Sequence, residues 1–404
     1  MSAASTVRTE PSRRRLPRVP RPALITFFVV LAYAIPLIRP PFITTLQTDF
    51  ASVMFDSALM GLVAVGLNIV IGYAGLLDLG YVGFYACGAY TVGVLTSYHW
   101  HWPFLLVLPV AVAFTMLTGI LLGAPTLRVR GDYLAIVTMG FGEIIRQTVN
   151  NTPWLGGPAG IKNIPAPPSI GPNPDGPDGG LFSIPHISWN GLQPLLDLGH
   201  QTRFLKFGVL DAVPYYWVAL TALFVVLLLD RRLLDSRIGR AWEATREDED
   251  AAELMGVRTF KYKLMAFAFG ASIGGLSGTL YATREGGYIN PQTFVIQLSM
   301  LFVAAVIVGG AGNRWGALAG GVVVAFLPER FRQFSDWRLL AFGVALMLLA
   351  IWRPQGLLPP KRAKRAKRVE EEIEMLEEGG AGADDPTGEP AGTPLRAGGV
   401  QDDE

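Results

Sequence analysis

Residues 215–229 read YYWVALTALFVVLLL, set between Pro214 and the charged triplet Asp230-Arg231-Arg232. The run carries no charge, and its edges are sharp. A helix needs about 20 mostly apolar residues to cross a bilayer core, because backbone groups there find no water to bond. With its flanks this stretch nears that length, and the same pattern recurs along the chain. Candidate spans lie at 22–39, 50–71, 79–98, 103–123, 132–150, 214–230, 260–283, 293–310, 314–328 and 337–353. The weakest are 132–150, which holds Glu143 and Arg146, and 314–328, which is short. The pattern predicts an all-α polytopic membrane protein with about ten transmembrane helices.

Composition agrees. Half of the 404 residues are apolar, 17% are charged, and mean hydropathy is +0.35. A soluble domain carries roughly 25% charged residues, so the low charge is the sharper signal. The net charge of +1 gives no reason to expect a nucleic-acid partner. A single cysteine, Cys87, excludes a disulfide framework or a multi-thiolate metal site within one chain. The 46 glycines and 29 prolines are many for a plain helical bundle, yet too aperiodic for collagen.

Basic residues accumulate on the cytoplasmic side of membrane proteins. Alternating ten spans from an inside N-terminus puts most Lys and Arg inside, in Arg13–Arg21, Arg128/Arg130, Arg231–Lys263, Arg314 and Arg353–Arg368. Both termini are therefore expected in the cytoplasm. Residues 1–21 form a basic tail, 22–358 the transmembrane domain, and 359–404 a basic then acidic tail, both tails having the composition of disordered chain. The KRAKRAKR stretch at 361–368 suits anionic lipid headgroups. No signal-peptide cleavage pattern precedes the first span. The Pro- and Gly-rich loop 151–213 is too polar to span and falls outside, with five candidate spans on each side. An odd number makes the halves enter from opposite sides, as inverted-topology repeats do, and parity alone suggests it.

Glycines crowd 61–93, 270–278 and 309–321. Small residues let helices approach closely in lipid, which explains most of them. Broken helices that offer backbone groups to a polar solute are the other reading, favoured in the first cluster by Asn68, Asp78 and the break at Gly72–Gly75. Charge at mid-membrane is costly unless paired or wetted, which singles out Asp56 and Glu143. Glu143 and Arg146 stand i, i+3 and can pair with each other. Asp78, near a turn, reads as a cap or loop residue. Polar groups in otherwise apolar, glycine-interrupted spans make Asn68, Tyr73, Thr138 and Glu143 the candidates for a translocation path, which Phe141 could narrow.

Between the sixth and seventh candidate spans, 214–230 and 260–283, Gly239 to Gly256 read GRAWEATREDEDAAELMG and cannot span. Ala241, Ala244, Asp248, Ala251 and Met255 make one narrow small-residue stripe at helical spacing. Glu243 in the first turn suits the helix dipole, and Gly256 suits a C-terminal stop. Such a helix is either a solvated connector or a docking helix for a cytoplasmic partner.

This stretch, extended to Val257, resembles the coupling segment of permease subunits from branched-chain amino acid ABC importers of the Liv type. Further blocks are similar to that family in the family's order: LNIVIGYAGLLDLGYVGFYACGAYT at 67–91, RGDYLAIVTMGFGEIIR at 130–146 followed by GGPAGI at 156–161, GGAGNRWGALAG within 290–327, and RPQGL at 353–357. Together they cover roughly 50–358. The resemblance implies a prokaryotic inner-membrane complex of this chain, a homologous second permease, ATPase subunits and an extracytoplasmic solute-binding protein. ATP and Mg would bind in the partner ATPases, and no cofactor in this chain. The coupling segment, 231–259, would act through Arg240, Glu243, Arg246, Glu247, Asp248 and Gly256. Asp78 and Tyr81 depart from the Ser and His of many members, and the 151–213 loop is long for the family. Relatives that carry amides or urea leave the solute open.

Enzyme readings find little support. There is no GxxxxGK[ST] phosphate loop and no recognisable Ser-His-Asp or Cys-His motif. His99 and His101 lack a nearby third ligand and read as a surface pair. The competing class is an ATP-independent channel or ion-coupled secondary carrier, with Glu143 and Asp56 as coupling groups. The acidic docking segment argues against it.

Overall fold

The computed structural model describes residues 21–38, 49–128, 133–170, 183–190, 193–208, 211–284 and 287–330, with short pieces between 340 and 359. Nine of the predicted spans have a helical counterpart among them: α1 (Arg21–Ile38), α2 (Phe50–Asn68), α3 (Tyr81–Gly93), α4 (Phe104–Thr126), α5 (Tyr133–Asn151), then α6 (Val213–Asp235), α9 (Thr259–Ala282), α10 (Ile296–Gly309) and α11 (Arg314–Arg330). Between α6 and α9 lie α7 (Arg237–Glu247) and α8 (Glu249–Leu254). Among the described residues, Phe50–Tyr73, α4, α6 and α9 are long and apolar enough to cross a membrane, and Val29–Ile38 and α10 are shorter apolar helices. The tenth candidate, 337–353, and both tails fall largely or wholly outside the described residues.

Among the described residues, the departure from an all-helical chain lies within the 151–213 loop. Strands β1 (Ser183–Asn190) and β2 (Gln193–Arg203) pair antiparallel, with a register shift at Pro185/His186. Pro and Gly flanks masked the hairpin at the sequence level. The GGPAGI block ahead of it folds back instead: Ile161 and Ile289 exchange backbone hydrogen bonds of 3.0 Å, tying the two halves of the chain together.

The core runs through α2, α3, α6, α9 and α10, where Leu62, Leu67, Tyr81, Phe84 and Phe267 are fully buried. Close packing explains much of the glycine pattern. A Cβ at Gly88 on α3 would lie 2.0 Å from the Gly275 carbonyl of α9, and one at Gly278 would lie 1.8 Å from the Tyr85 carbonyl. The helices touch backbone to backbone, as lipid-embedded helices with small residues do. On the periphery, α4 exposes Leu105, Phe114, Leu117 and Leu121, a surface suited to hydrocarbon.

Candidate functional site

The α2 span does not run through as an α-helix. It passes at Ile69 into a π-helical turn, Ile69–Tyr73, closed by the Ala74 N–H on the Ile69 carbonyl at 3.2 Å. Wide turns of this kind interrupt helices at functional positions and leave carbonyls without helical partners. Gly72 and Gly75 permit it here. A Cβ at Gly72 would strike the Asn68 side chain and the Gly312 backbone, and Gly75 adopts a left-handed φ of +72°.

Several distant segments converge on that turn. The buried Asn68 accepts a 2.8 Å hydrogen bond from the Gly312 N–H, joining the first glycine cluster to the third. The hydroxyl of Tyr73 donates to Asp230 Oδ2 at 3.2 Å, and Arg314 Nε lies 3.6 Å from the same oxygen. Asp230 is 1% exposed, with Oδ1 unpaired, and so is Asn68 Nδ2. A carboxylate this deep depends on its cation, since breaking a buried pair leaves an uncompensated charge. The GGAGN loop is held in turn by the end of the RPQGL block and the residue after it: Leu357 N–H donates to the Val308 carbonyl at 2.8 Å, Leu358 N–H to the Gly309 carbonyl and Asn313 Nδ2 to the Leu358 carbonyl, the last two at 3.0 Å.

The fourth contribution comes from α7. Arg246 Nη1 donates to the Gly72 carbonyl. The rest of α7 is anchored on its inner face by Trp242, 1% exposed, whose Nε1 donates to the Tyr262 carbonyl of α9 at 2.7 Å. Arg240, Glu243 and Glu247 point outward and are exposed. The single helix expected over 239–256 is two. Ser236 caps α7 through the Ile238 N–H, so the helix begins earlier than predicted and Glu243 sits mid-helix. Asp248 then takes an extended conformation and caps α8 by accepting from the Ala251 N–H at 2.9 Å. Aspartate competes with the helix for its own backbone, and here it wins. Lys263 holds α8 through Glu249 at 2.5 Å. Gly256 stops α8 as predicted, at φ +85°, with Val257 N–H reaching back to the Ala252 carbonyl. Leu254 and Met255 stand exposed beside it.

The four path candidates do not share one place. Asn68 and Tyr73 belong to the junction just described. Thr138 is fully buried and serves a different clamp: its hydroxyl accepts from the Leu79 N–H and donates to the Ala135 carbonyl, each at 3.1 Å. Beside it Asp78 acts as the turn residue expected, accepting from the Gly80 N–H at 2.9 Å. Glu143 alone lies on an open face, paired with Arg146 at 2.5 Å and bonded by Gln147 at 3.0 Å. Asp56 is paired too, with Arg284, whose guanidinium also stacks over Phe55. His99 stacks on Trp154 at 4.5 Å. Sequence reasoning missed Asp230 and Arg314. In the sequence Asp230 reads as the flank of a span, and the one signal for more is a carboxylate directly ahead of two arginines at a span end.

Comparison with known proteins adds a family. The model for the branched-chain amino acid transport system permease component matches residues 50–351. The chain is 38% identical over 337 residues, 83% of its length and 75% of the relative's, to the high-affinity branched-chain amino acid transport system permease protein LivM of Escherichia coli. It is 34% identical over 128 residues, 30% of the chain and 40% of the relative, to the corresponding permease protein BraD of Pseudomonas aeruginosa. With Escherichia coli LivH it shares 28% over 165 residues, 40% of the chain and 51% of the relative. No solved structure matches.

Proposed function

The chain belongs to the family of branched-chain amino acid transport permease components, and from that premise we propose that it is one membrane subunit of an ATP-driven importer. It would pair with a homologous permease, receive branched-chain or related amino acids from an extracytoplasmic binding protein, and be driven by ATPase subunits on the cytoplasmic side. ATP and Mg would be bound there and not in this chain. The observation that carries the reading is the α7–α8 segment: a charged outward face with exposed Arg240, Glu243 and Glu247, rooted by Trp242 in the span bundle. A helix fixed on its inner side and charged on its outer side is built to take a load from a soluble partner.

The open face of α5 supports the pairing. Glu143, Arg146 and Gln147 form a polar cluster on a predicted span, flanked by exposed Ile136 and Ile144. Polar groups inside a bilayer face protein or a watered path in preference to lipid. The same basic-residue bias that orients the spans keeps both termini in the cytoplasm.

The test is purification of the tagged chain in mild detergent, with mass spectrometry of what accompanies it and an assay of ATP hydrolysis. ATPase subunits should accompany the parent chain, and Glu247→Arg should weaken that association by about tenfold or more while the chain still folds, the scale of a reversed charge at a contact. A well-folded chain that arrives alone and moves solute in liposomes without ATP would sink the reading. The secondary-carrier alternative would assign ion coupling to Glu143 and Asp56, and each of these is held by an arginine.

A further inference from the structure

Arg246 is the point at which the coupling segment meets the broken span. It occupies the last turn of α7, and its guanidinium donates to the Gly72 carbonyl inside the π-turn. Gly75, two residues beyond Tyr73, leaves space for the arginine stem: a Cβ there would lie 2.9 Å from Arg246 Cγ. Tyr73, next to Gly72, carries the hydroxyl that holds Asp230, and Asp230 faces Arg314 at the start of α11. A continuous chain of contacts thus leads from α7, through one carbonyl, to the junction of α2, α6 and α11. Arg246 stays exposed while making this contact, as do Arg237, Arg240, Glu243 and Glu247 along the same helix.

We propose that Arg246 is a positioning residue that makes α7 and the π-turn Ile69–Tyr73 move as one rigid piece. A displacement imposed on α7 by a partner then arrives at the Tyr73–Asp230–Arg314 contact instead of being absorbed in the intervening backbone. Arg246 is exposed, but its guanidinium is committed to the Gly72 carbonyl of the span, and its part is to transmit force to the span, with docking left to the rest of α7. This rests on the importer reading. It adds a specific mechanical link, in which one guanidinium bridges two elements 174 positions apart in sequence.

The geometry offers a reversible test. A Cβ built at Gly75 lies 3.6 Å from the Arg246 Cβ, within the roughly 3.5–4.5 Å separation of disulfide-linked Cβ atoms. The chain's one native cysteine, Cys87, is buried. The full complex would be reconstituted in proteoliposomes with its ATPases and binding protein, and solute uptake would be measured per ATP hydrolysed. Three forms are compared: the parent, Arg246→Ala, and Gly75→Cys with Arg246→Cys. We expect Arg246→Ala to lower uptake per ATP by about tenfold, within the range of measured inter-site couplings. Arg246→Lys, which still offers a cation to the carbonyl, should recover part of it. The double-cysteine form should be equally uncoupled when reduced and regain most of the parent ratio when oxidised.

A merely structural role for Arg246 would not follow the redox state. Parental uptake per ATP in Arg246→Ala would overturn the proposal. So would an oxidised cross-link, verified by mass spectrometry, that leaves transport uncoupled while Gly75→Cys alone, strained at its φ of +72°, keeps the parent ratio. Loss of the ATPases from Arg246→Ala, with the parent complex intact, would make Arg246 a docking contact and overturn the inference while the importer reading stands. A parent chain that brings no ATPase subunits with it, and whose reconstituted preparation hydrolyses no ATP, would instead remove the importer reading itself. If Arg246→Ala does not fold, the redox comparison within the double-cysteine form decides.

Discussion

The carboxyl of Asp78 lies fully buried in the loop that precedes α3, outside the spans. Burial raises its pKa to about 6, opposed by the Gly80 N–H and by Thr138. The folded chain therefore favours the protonated acid. Its stability is greatest below the ordinary carboxylate pKa and declines as the pH climbs toward 6, by at most about 3 kcal/mol for a shift of this size. Asparagine keeps the oxygen that accepts from Gly80 and loses the charge. Asp78→Asn should accordingly raise the thermal midpoint at pH 7.5 and lose that advantage near pH 4, which a detergent melting series over pH would read. An equal gain at both pH values would refute the burial argument. The sequence marked Asp78 as a turn residue correctly, because aspartate near glycine is a local signal. It could not mark Asp230, whose partners Tyr73 and Arg314 come from 157 and 84 positions away (230 − 73 and 314 − 230). Long-range pairs leave no trace in spacing.

Between elements, local chemistry overruled periodicity. The small-residue stripe from Ala241 to Met255 matched one continuous helix, and only the capping preference of Asp248 spoke for a break. Side chains that compete for nearby N–H groups do so wherever the helix has no packing to defend its continuity, and residues 247–250 are exposed. Asp248→Ala removes the bond to the Ala251 N–H, a loss of about 1 kcal/mol for a cap. We expect faster amide exchange across 249–254 with α7 unchanged, since α7 is capped separately by Ser236. Exchange that rises equally in both helices would show that they form one cooperative unit. The other element missed was the β1–β2 hairpin, hidden in a loop whose proline and glycine content pointed away from strands.

At the scale of the molecule, the spans were legible because apolar length is written residue by residue. How they touch was legible only in part. Glycine clusters announced close contact without saying which faces meet, and the structure divides them: most seat one helix against another, while Gly72 and Gly75 serve the π-turn. The distinction is measurable. Gly88→Ala places a methyl 2.0 Å from the Gly275 carbonyl, so α3 and α9 must part, at a cost of about 1–3 kcal/mol or more. Gly140 on α5 has nothing within 4 Å of such a methyl, and Gly140→Ala should gain up to about 1 kcal/mol of helix propensity. Thermal midpoints in detergent should fall for the first and hold or rise for the second. The reverse order would mean that the α3–α9 contact is not what holds the bundle together.

The π-turn also bears on how such a permease can change over generations. A π-turn is an α-helix with one residue too many, and its geometry depends on chain length more than on side-chain identity. Removing one position, Ile71 for instance, would let regular hydrogen bonding close the gap and rotate what lies on either side by about 100°. Tyr73 would then face away from Asp230 and the Gly72 carbonyl away from Arg246. Substitutions adjust this junction by degrees. A single codon deletion would re-aim it outright.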